Sequence, residues 1–356
     1  MPERSPKKAQ AAASAGASAG AGGSAGGGTA GGTSPIVAVV IPCYRETAHV
    51  LDVIAGIGDE VGRIFVVDDA CPDDTGGHIR AHCRDKRVEV LTHERNTGVG
   101  GATITGYKRA IEAGADIIVK VDGDGQMDPA MIPTLIRPIA AGEADYAKGN
   151  RFHQLQAVGG MPAMRIAGNM LLSFLSKLSS GYWDVFDPAN GFTAIHADVA
   201  RTLPLDELAR GFFFESDMLY RLGLMRAVVR DVPMRARYGA ETSAISIPKI
   251  IPEFLVKHTA NTCRRMFYCY FVRDFTFASM QLVLGAAMVL FGVVYGGYWW
   301  YASGAEDVFA SAGTVVLAAL PIILGTQFLI AFINYDTRNV PKTPVHPLLA
   351  RADGDG

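Results

Sequence analysis

The sequence predicts an α/β domain with a mostly parallel sheet, followed by two apolar helices of membrane-spanning length. Short runs apolar on both faces, IVAVVI at 36–41, RIFVVD at 63–68, VEVLT at 88–92 and ADIIVKVD at 115–122, alternate with helix-like segments. Parallel strands covered by helices on two sides read this way. Polar clusters stand directly behind three of the runs, at Pro42-Cys43-Tyr44-Arg45-Glu46, Asp68-Asp69 and Asp122-Gly123-Asp124. Open sheets of this kind bind ligands beyond the carboxyl ends of their strands. Finally, residues 275–300 and 308–333 contain no charged residue. At about 1.5 Å rise per residue each stretch can cross a hydrocarbon core of roughly 30 Å.

Taken in order, residues 1–34 include a stretch, 11–32, built only of Ala, Gly, Ser and Thr. It has nothing large to bury against the entropy of ordering, so a disordered tail is expected. It does not read as a signal peptide, because no apolar region follows Lys7 and Lys8. Residues 35–245 form the α/β domain. The segment 246–273, rich in aromatic, aliphatic and basic residues, reads as a juxtamembrane helix lying in the membrane interface. Residues 274–335 hold the two spans, and 336–356 form a tail. Arg264, Arg265 and Arg273 precede the first span, Arg338 and Lys342 follow the second, and Tyr301 to Asp307 between them has no Lys or Arg. This places the α/β domain and both termini on the cytoplasmic side of the cell membrane, with Trp299, Trp300 and Tyr301 as an interfacial belt. Five cysteines without a C-x-x-C pair suit a reducing compartment and no zinc ribbon. A net charge of −2 gives no reason to expect nucleic acid as a partner.

The chemistry concentrates in Asp122-Gly-Asp124-Gly-Gln126. Two carboxylates one residue apart on a glycine turn at a strand end can hold a hard divalent cation, Mg²⁺ or Mn²⁺, with Gln126 as a neutral oxygen ligand. An EF-hand is excluded, since Met127 stands where its glycine belongs and Pro133 where its glutamate belongs. Asp128 reads as a helix cap with Pro129 at the first position. Asp68 and Asp69 could accept hydrogen bonds from a base or ribose, and Glu46 reads equally as a first-turn helix acid. The run 96–101, NTGVGG, is similar to a phosphate loop but matches neither common fingerprint.

In this order, Pro42-x-Tyr44-x-Glu46, VVDDA at 66–70, NTGVGGATITGY at 96–107, VDGDGQMDP at 121–129 and DPANGFTAI at 187–195 resemble family 2 glycosyltransferases of the GT-A fold. More narrowly they are similar to the polyprenyl-phosphate glycosyltransferases, among them the dolichol-phosphate mannose synthases and bacterial polyprenyl-phosphate glucosyltransferases. The resemblance covers about residues 35–245, and the trailing hairpin suits membrane-anchored members. It implies metal-dependent transfer, with inversion, of a hexose from a UDP- or GDP-linked nucleotide-sugar to a membrane polyprenyl phosphate. On this resemblance Pro42, Tyr44, Glu46, Asp68 and Asp69 hold the nucleoside, while Asp122, Asp124 and Gln126 form the metal and diphosphate site. Arg151, Arg165 with Asn169, and Arg235 or Arg237 correspond to residues that grip the acceptor phosphate. The spacing from the last two to Gly239 and Ser243 departs from the family's R-x-x-G-x-S. Glu215 and Asp217 lie where related enzymes keep a catalytic base. A processive polysaccharide synthase is disfavoured by the lack of Q-x-x-R-W. Transfer to another lipid, or a non-catalytic membrane adaptor with a nucleotide-sensing domain, remain alternatives, and whether the chain forms a homo-oligomer stays open.

Overall fold

The structure, a computed structural model, describes residues 34–151, 163–234, 247–306 and 308–352. The expected tail at 1–33, and Arg235 and Arg237, lie outside the described residues. Each expected strand forms: β1 (Val37–Cys43), β2 (Val61–Asp68), β3 (Val88–Thr92) and β4 (Ile117–Lys120). Three more join them, β5 (Tyr146–Asn150), β6 (Thr193–His196) and β7 (Val229–Pro233), in the sheet order β3-β2-β1-β4-β6-β5-β7. All pairings are parallel except those of β6, which runs antiparallel to both β4 and β5. The carboxyl ends of β1, β2, β4 and β5 therefore share one edge with the amino end of β6.

Helices α1 (Val50–Ala55), α2 (Thr75–His82), α3 (Val99–Glu112), α4 (Ile132–Ala140), α5 (Ala163–Ser180), α6 (Ala197–Thr202) and α7 (Phe214–Met225) follow in turn. Alternate residues of the strands feed two apolar layers. Val37, Val39, Ile41, Val119 and Ala147 pack with α1 and α4 on one face; Ala38, Val40, Ile118, Tyr146 and Ile195 pack with α3 and α7 on the other. β1 is buried along its whole length, as a central parallel strand covered on both faces must be. The order of the strands reverses between β1 and β4, which opens a crevice at their carboxyl ends.

Helix α8 (Ile247–Phe267) continues into a π-helical turn at Tyr268–Arg273, and α9 (Phe277–Glu306) and α10 (Ala312–Arg338) form the hairpin. These two are long and apolar enough to cross a membrane, with mean hydropathies of 2.1 and 2.3. They approach closely at glycines: a Cβ on Gly285 would meet the Gly325 carbonyl oxygen at 2.9 Å. Small residues at such crossings let helix backbones touch in an apolar medium.

One face of α8 is built into the domain, with His258, Asn261 and Arg265 buried. The opposite face leaves Leu255, Val256 and Phe267 exposed. Arg265, one of the basic residues that precede the first span, is an interior anchor. Its guanidinium donates to both Asp336 oxygens, at 2.7 and 2.9 Å, and to the Leu178 carbonyl oxygen. Tyr270 Oη and Trp183 Nε1 donate to the same carboxylate at 2.5 and 2.9 Å. The end of α10 is thereby pinned to the α/β domain. Beyond it, α11 (His346–Ala352) docks at the far edge of the sheet, where the buried Asp145 carboxylate accepts the Val345 and His346 N–H groups.

Candidate active site

The crevice at the β1/β4 switch point is lined by the acids that follow those strands. Gly123 lets the turn lie against β1, since a Cβ there would stand 3.0 Å from Cys43 Sγ and 3.3 Å from Glu46 Cγ. The turn is tight because the Gln126 N–H donates to Asp124 Oδ1 at 2.9 Å and Gly125 takes a φ of 74°. Asp128 caps the next turn by accepting the Ala130 N–H at 3.2 Å, with Pro129 at the first position as expected.

At the centre is a residue that the sequence reading passed over. Lys120, inside the apolar run of β4 and 1% exposed, places Nζ 2.6 Å from Asp122 Oδ1 and 3.1 Å from Glu215 Oε1. This ammonium bridges two acids 93 positions apart in sequence. Burial alone would lower its pKa, but Asp122 and then Glu215 hold it well above its ordinary value. Glu215 reaches the site because α7 begins at Phe214 and puts it in the first turn. Asp217 points its bonds elsewhere: Oδ2 accepts the Ala209 N–H at 3.0 Å and Arg221 Nε at 3.4 Å.

The acids after β2 are wired into their own loops. Asp68 accepts the N–H groups of Cys71 (2.8 Å) and Gly76 (2.6 Å). Asp69 accepts His93 Nδ1 (2.7 Å), the Thr97 N–H and hydroxyl (both 2.8 Å) and the Gly98 N–H (2.8 Å). Asp69 thus clamps the start of the glycine run. The run itself serves close packing: a Cβ on Gly98 would lie 2.6 Å from the Arg210 carbonyl oxygen, and the Gly101 N–H donates to that oxygen. Tyr44 is exposed at the mouth of the crevice, beside Arg45, which takes a left-handed φ of 64°.

Further along the edge, Arg151 makes a two-pronged contact with the buried Asp187, Nε to Oδ2 at 2.7 Å and Nη2 to Oδ1 at 3.0 Å. Arg165 and Asn169 fall on α5, with side chains outside the described residues. Lys148 on β5 is fully buried and donates to the Asn190 carbonyl oxygen. Burial pushes its ammonium down to about 8. The contrast with Lys120 has a simple cause, because among the described residues Lys148 has only a neutral carbonyl as its direct hydrogen-bond partner. For Lys120 a lone lysine within an apolar run was the available sequence signal, since lysine is almost never fully buried unless paired; Lys148, in Tyr-Ala-Lys-Gly-Asn, carried no such signal.

A divalent cation would find suitable donors here. Asp122 and Asp124 supply carboxylate oxygens and Gln126 an amide oxygen, all hard ligands on one turn. Asp122 Oδ1 is held by Lys120, and Oδ2 accepts no hydrogen bond from the described residues.

Known proteins resemble this chain in sequence and in fold. Residues 38–203 match the family model for Glycosyl transferase family 2. The chain is 30% identical over 217 residues to the UDP-N-acetylglucosamine–dolichyl-phosphate N-acetylglucosaminyltransferase of Methanococcus voltae, covering 57% of this chain and 86% of that protein. It is 29% identical to the undecaprenyl-phosphate mannosyltransferase of Micrococcus luteus, covering 56% of this chain and 82% of that protein. Among solved structures, glucosyl-3-phosphoglycerate synthase of Mycobacterium tuberculosis with phosphoglyceric acid superposes with a TM-score of 0.50 at 21% identity, over 64% of this chain and 80% of that one. That likeness is one of fold, the GT-A arrangement expected from the motifs. By its motifs, its fold and these relatives, the chain belongs to glycosyl transferase family 2.

Proposed function

We propose that this protein transfers a hexose from a UDP- or GDP-linked nucleotide-sugar to a membrane polyprenyl phosphate, with inversion at the anomeric carbon, to yield a lipid-linked sugar donor. The observation that carries the reading is the acid pair Asp122 and Glu215, bridged by Lys120 at the switch-point crevice, in a domain tied to an apolar hairpin. The named activities of the two relatives, each a transfer to a polyprenyl phosphate, support the acceptor class.

In this reading the nucleoside lies over Pro42, Tyr44 and Glu46, in a pocket whose floor is shaped by Asp68 and Asp69. The diphosphate lies over the turn that carries Asp122, Asp124 and Gln126, which would hold a Mg²⁺ or Mn²⁺ ion. When bound, such an ion neutralises charge on the leaving diphosphate. Lys120 keeps Asp122 and Glu215 apart at a set spacing, and Glu215 orients the transferred sugar. An acceptor phosphate is already an anion near neutral pH, its second pKa being about 6, so it needs little help from a general base. It needs positive charge to enter an edge lined with acids. Arg151 supplies it in a fork held by Asp187, with Arg165, Asn169 and Arg235 or Arg237 as further phosphate ligands.

The hairpin serves the same chemistry. An acceptor anchored in the bilayer meets a membrane-held enzyme at raised effective concentration. Because α10 and α11 return to the domain that precedes α9, an entering and leaving pair of spans keeps both ends on the cytoplasmic side with the active site. The test is direct. Membranes containing the protein, given a polyprenyl phosphate and in turn UDP-glucose, UDP-N-acetylglucosamine, UDP-galactose and GDP-mannose, are expected to form an acid-labile glycolipid with one of them. No product from any donor would refute the reading.

A further inference from the structure

Strand register lines up Lys120 on β4, Thr193 on β6, Lys148 on β5 and Asp231 on β7 as successive cross-strand partners. Such partners project to the same face. A polar row therefore crosses four strands of an otherwise apolar layer, and its two buried lysines both grip one loop. Lys148 Nζ donates to the Asn190 carbonyl oxygen, and Lys120 Nζ lies 3.4 Å from that of Gly191. The loop is fastened at further points. The Phe186 N–H donates to Asp231 Oδ2 at 2.8 Å, Asp187 takes the Arg151 fork, and Asn190 Nδ2 donates to the Gly149 carbonyl oxygen at 2.7 Å. At its end Gly191 has no room for a side chain, because a Cβ would stand 2.6 Å from Lys120 Nζ and run into Asp122 Oδ2. Residues 186–191 thus form a wall with the donor-side Asp122 at one end and Arg151 at the other.

We propose that Lys148 is a positioning residue for the acceptor half of the reaction: by holding the Asn190 carbonyl it fixes the Asp187–Arg151 pair at a set distance from Asp122. The inference rests on the transfer to a lipid phosphate proposed above. Around Lys148 stand three acids, Glu215, Asp187 and Asp231, and two cations, Lys120 and Arg151. Its ammonium both donates to the loop and adds positive charge behind Arg151. Both contributions weaken once the proton leaves, above about pH 8.

The full-length protein in detergent micelles is assayed with the donor panel and a polyprenyl phosphate, as wild type, Lys148→Met and Lys148→Arg, with Lys148→Gln in reserve where the Met variant does not fold. Lys148→Met is expected to raise the acceptor KM roughly tenfold or more while the nucleotide-sugar KM holds. Wild type is expected to lose acceptor kcat/KM as pH rises through about 8. Lys148→Arg, charged at every such pH, retains it. A folded Lys148→Met with the wild-type acceptor KM overturns the proposal. Hydrogen–deuterium exchange over residues 186–191 separates this from failure of the functional reading. Should wild type transfer nothing from any donor, that reading falls; faster exchange in Lys148→Met than in wild type would still support the loop-holding role, and equal exchange would overturn it.

Discussion

Replacing Asp336 by Asn probes how the hairpin is held to the transferase domain. The carboxylate and the Arg265 guanidinium it accepts are each 4% exposed, and Tyr270 and Trp183 donate to the same two oxygens. Neutralising Asp336 leaves a buried guanidinium with neutral acceptors, such as the Leu178 carbonyl oxygen, and no countercharge at position 336. Breaking one side of a buried ion pair costs about 3–5 kcal/mol, because an uncompensated charge stays behind. At about 1.4 kcal/mol per decade, docking of α10 would weaken between roughly a hundredfold and a few thousandfold. Urea unfolding of the full chain in micelles, followed by Trp183 fluorescence, reads this loss. The double variant Arg265→Met with Asp336→Leu should recover most of it, since apolar replacement of a buried pair is often neutral. A stability for Asp336→Asn within about 1 kcal/mol of wild type would refute the anchoring argument, because a solvated surface pair contributes no more than that.

Three other outcomes are expected. Asp124→Asn should lower transfer by roughly two to three orders of magnitude, the usual effect of removing one electrostatic element aimed at developing charge; full activity would end the metal assignment. Gly191→Ala should weaken nucleotide-sugar binding while leaving the fold intact, read by calorimetry with UDP and GDP, because its methyl group displaces Asp122 and Lys120. The third concerns pH. In the folded protein the Lys148 proton leaves near pH 8 instead of 10.5, so between those values the unfolded chain holds a proton that the folded one has lost. Stability contributed at this residue therefore rises with pH across that window, by about 3 kcal/mol at most. The stability of wild type relative to Lys148→Met in thermal unfolding should therefore rise as pH goes from about 8 towards 10.5. An unchanging difference would show that the buried Lys148 keeps its proton as readily as the unfolded chain does, and so that burial does not lower its pKa.

Some of the site was legible in the sequence because its signals are local. An acid directly behind a buried run must emerge at the carboxyl end of a strand, so Glu46, Asp68, Asp69, Asp122 and Asp124 are assigned to one edge by sequence alone. Asp128 with Pro129 declared itself as a cap in the same way. The glycine run was ambiguous for a physical reason. Glycines that admit a ligand's phosphate and glycines that admit a neighbouring backbone look alike in sequence, and here the neighbour is the Arg210 carbonyl. The anchoring role of Arg265 was not legible, since a charge near a span shows its flank but not its partner, and that partner is 71 residues away.

Patterning alone thus determines the α/β class, the strands that deliver acids to one edge, the two apolar helices and the family motifs, because each depends on residues within a few positions of one another. Pairings across long stretches of chain were decided only in three dimensions: Lys120 between Asp122 and Glu215, Lys148 beneath Asn190, Arg151 on Asp187, Arg265 on Asp336. A buried charge is tolerated only with a partner. The sequence shows the charge, but packing of β4 against β6, of α7 over the sheet and of α10 against α8 chooses the partner.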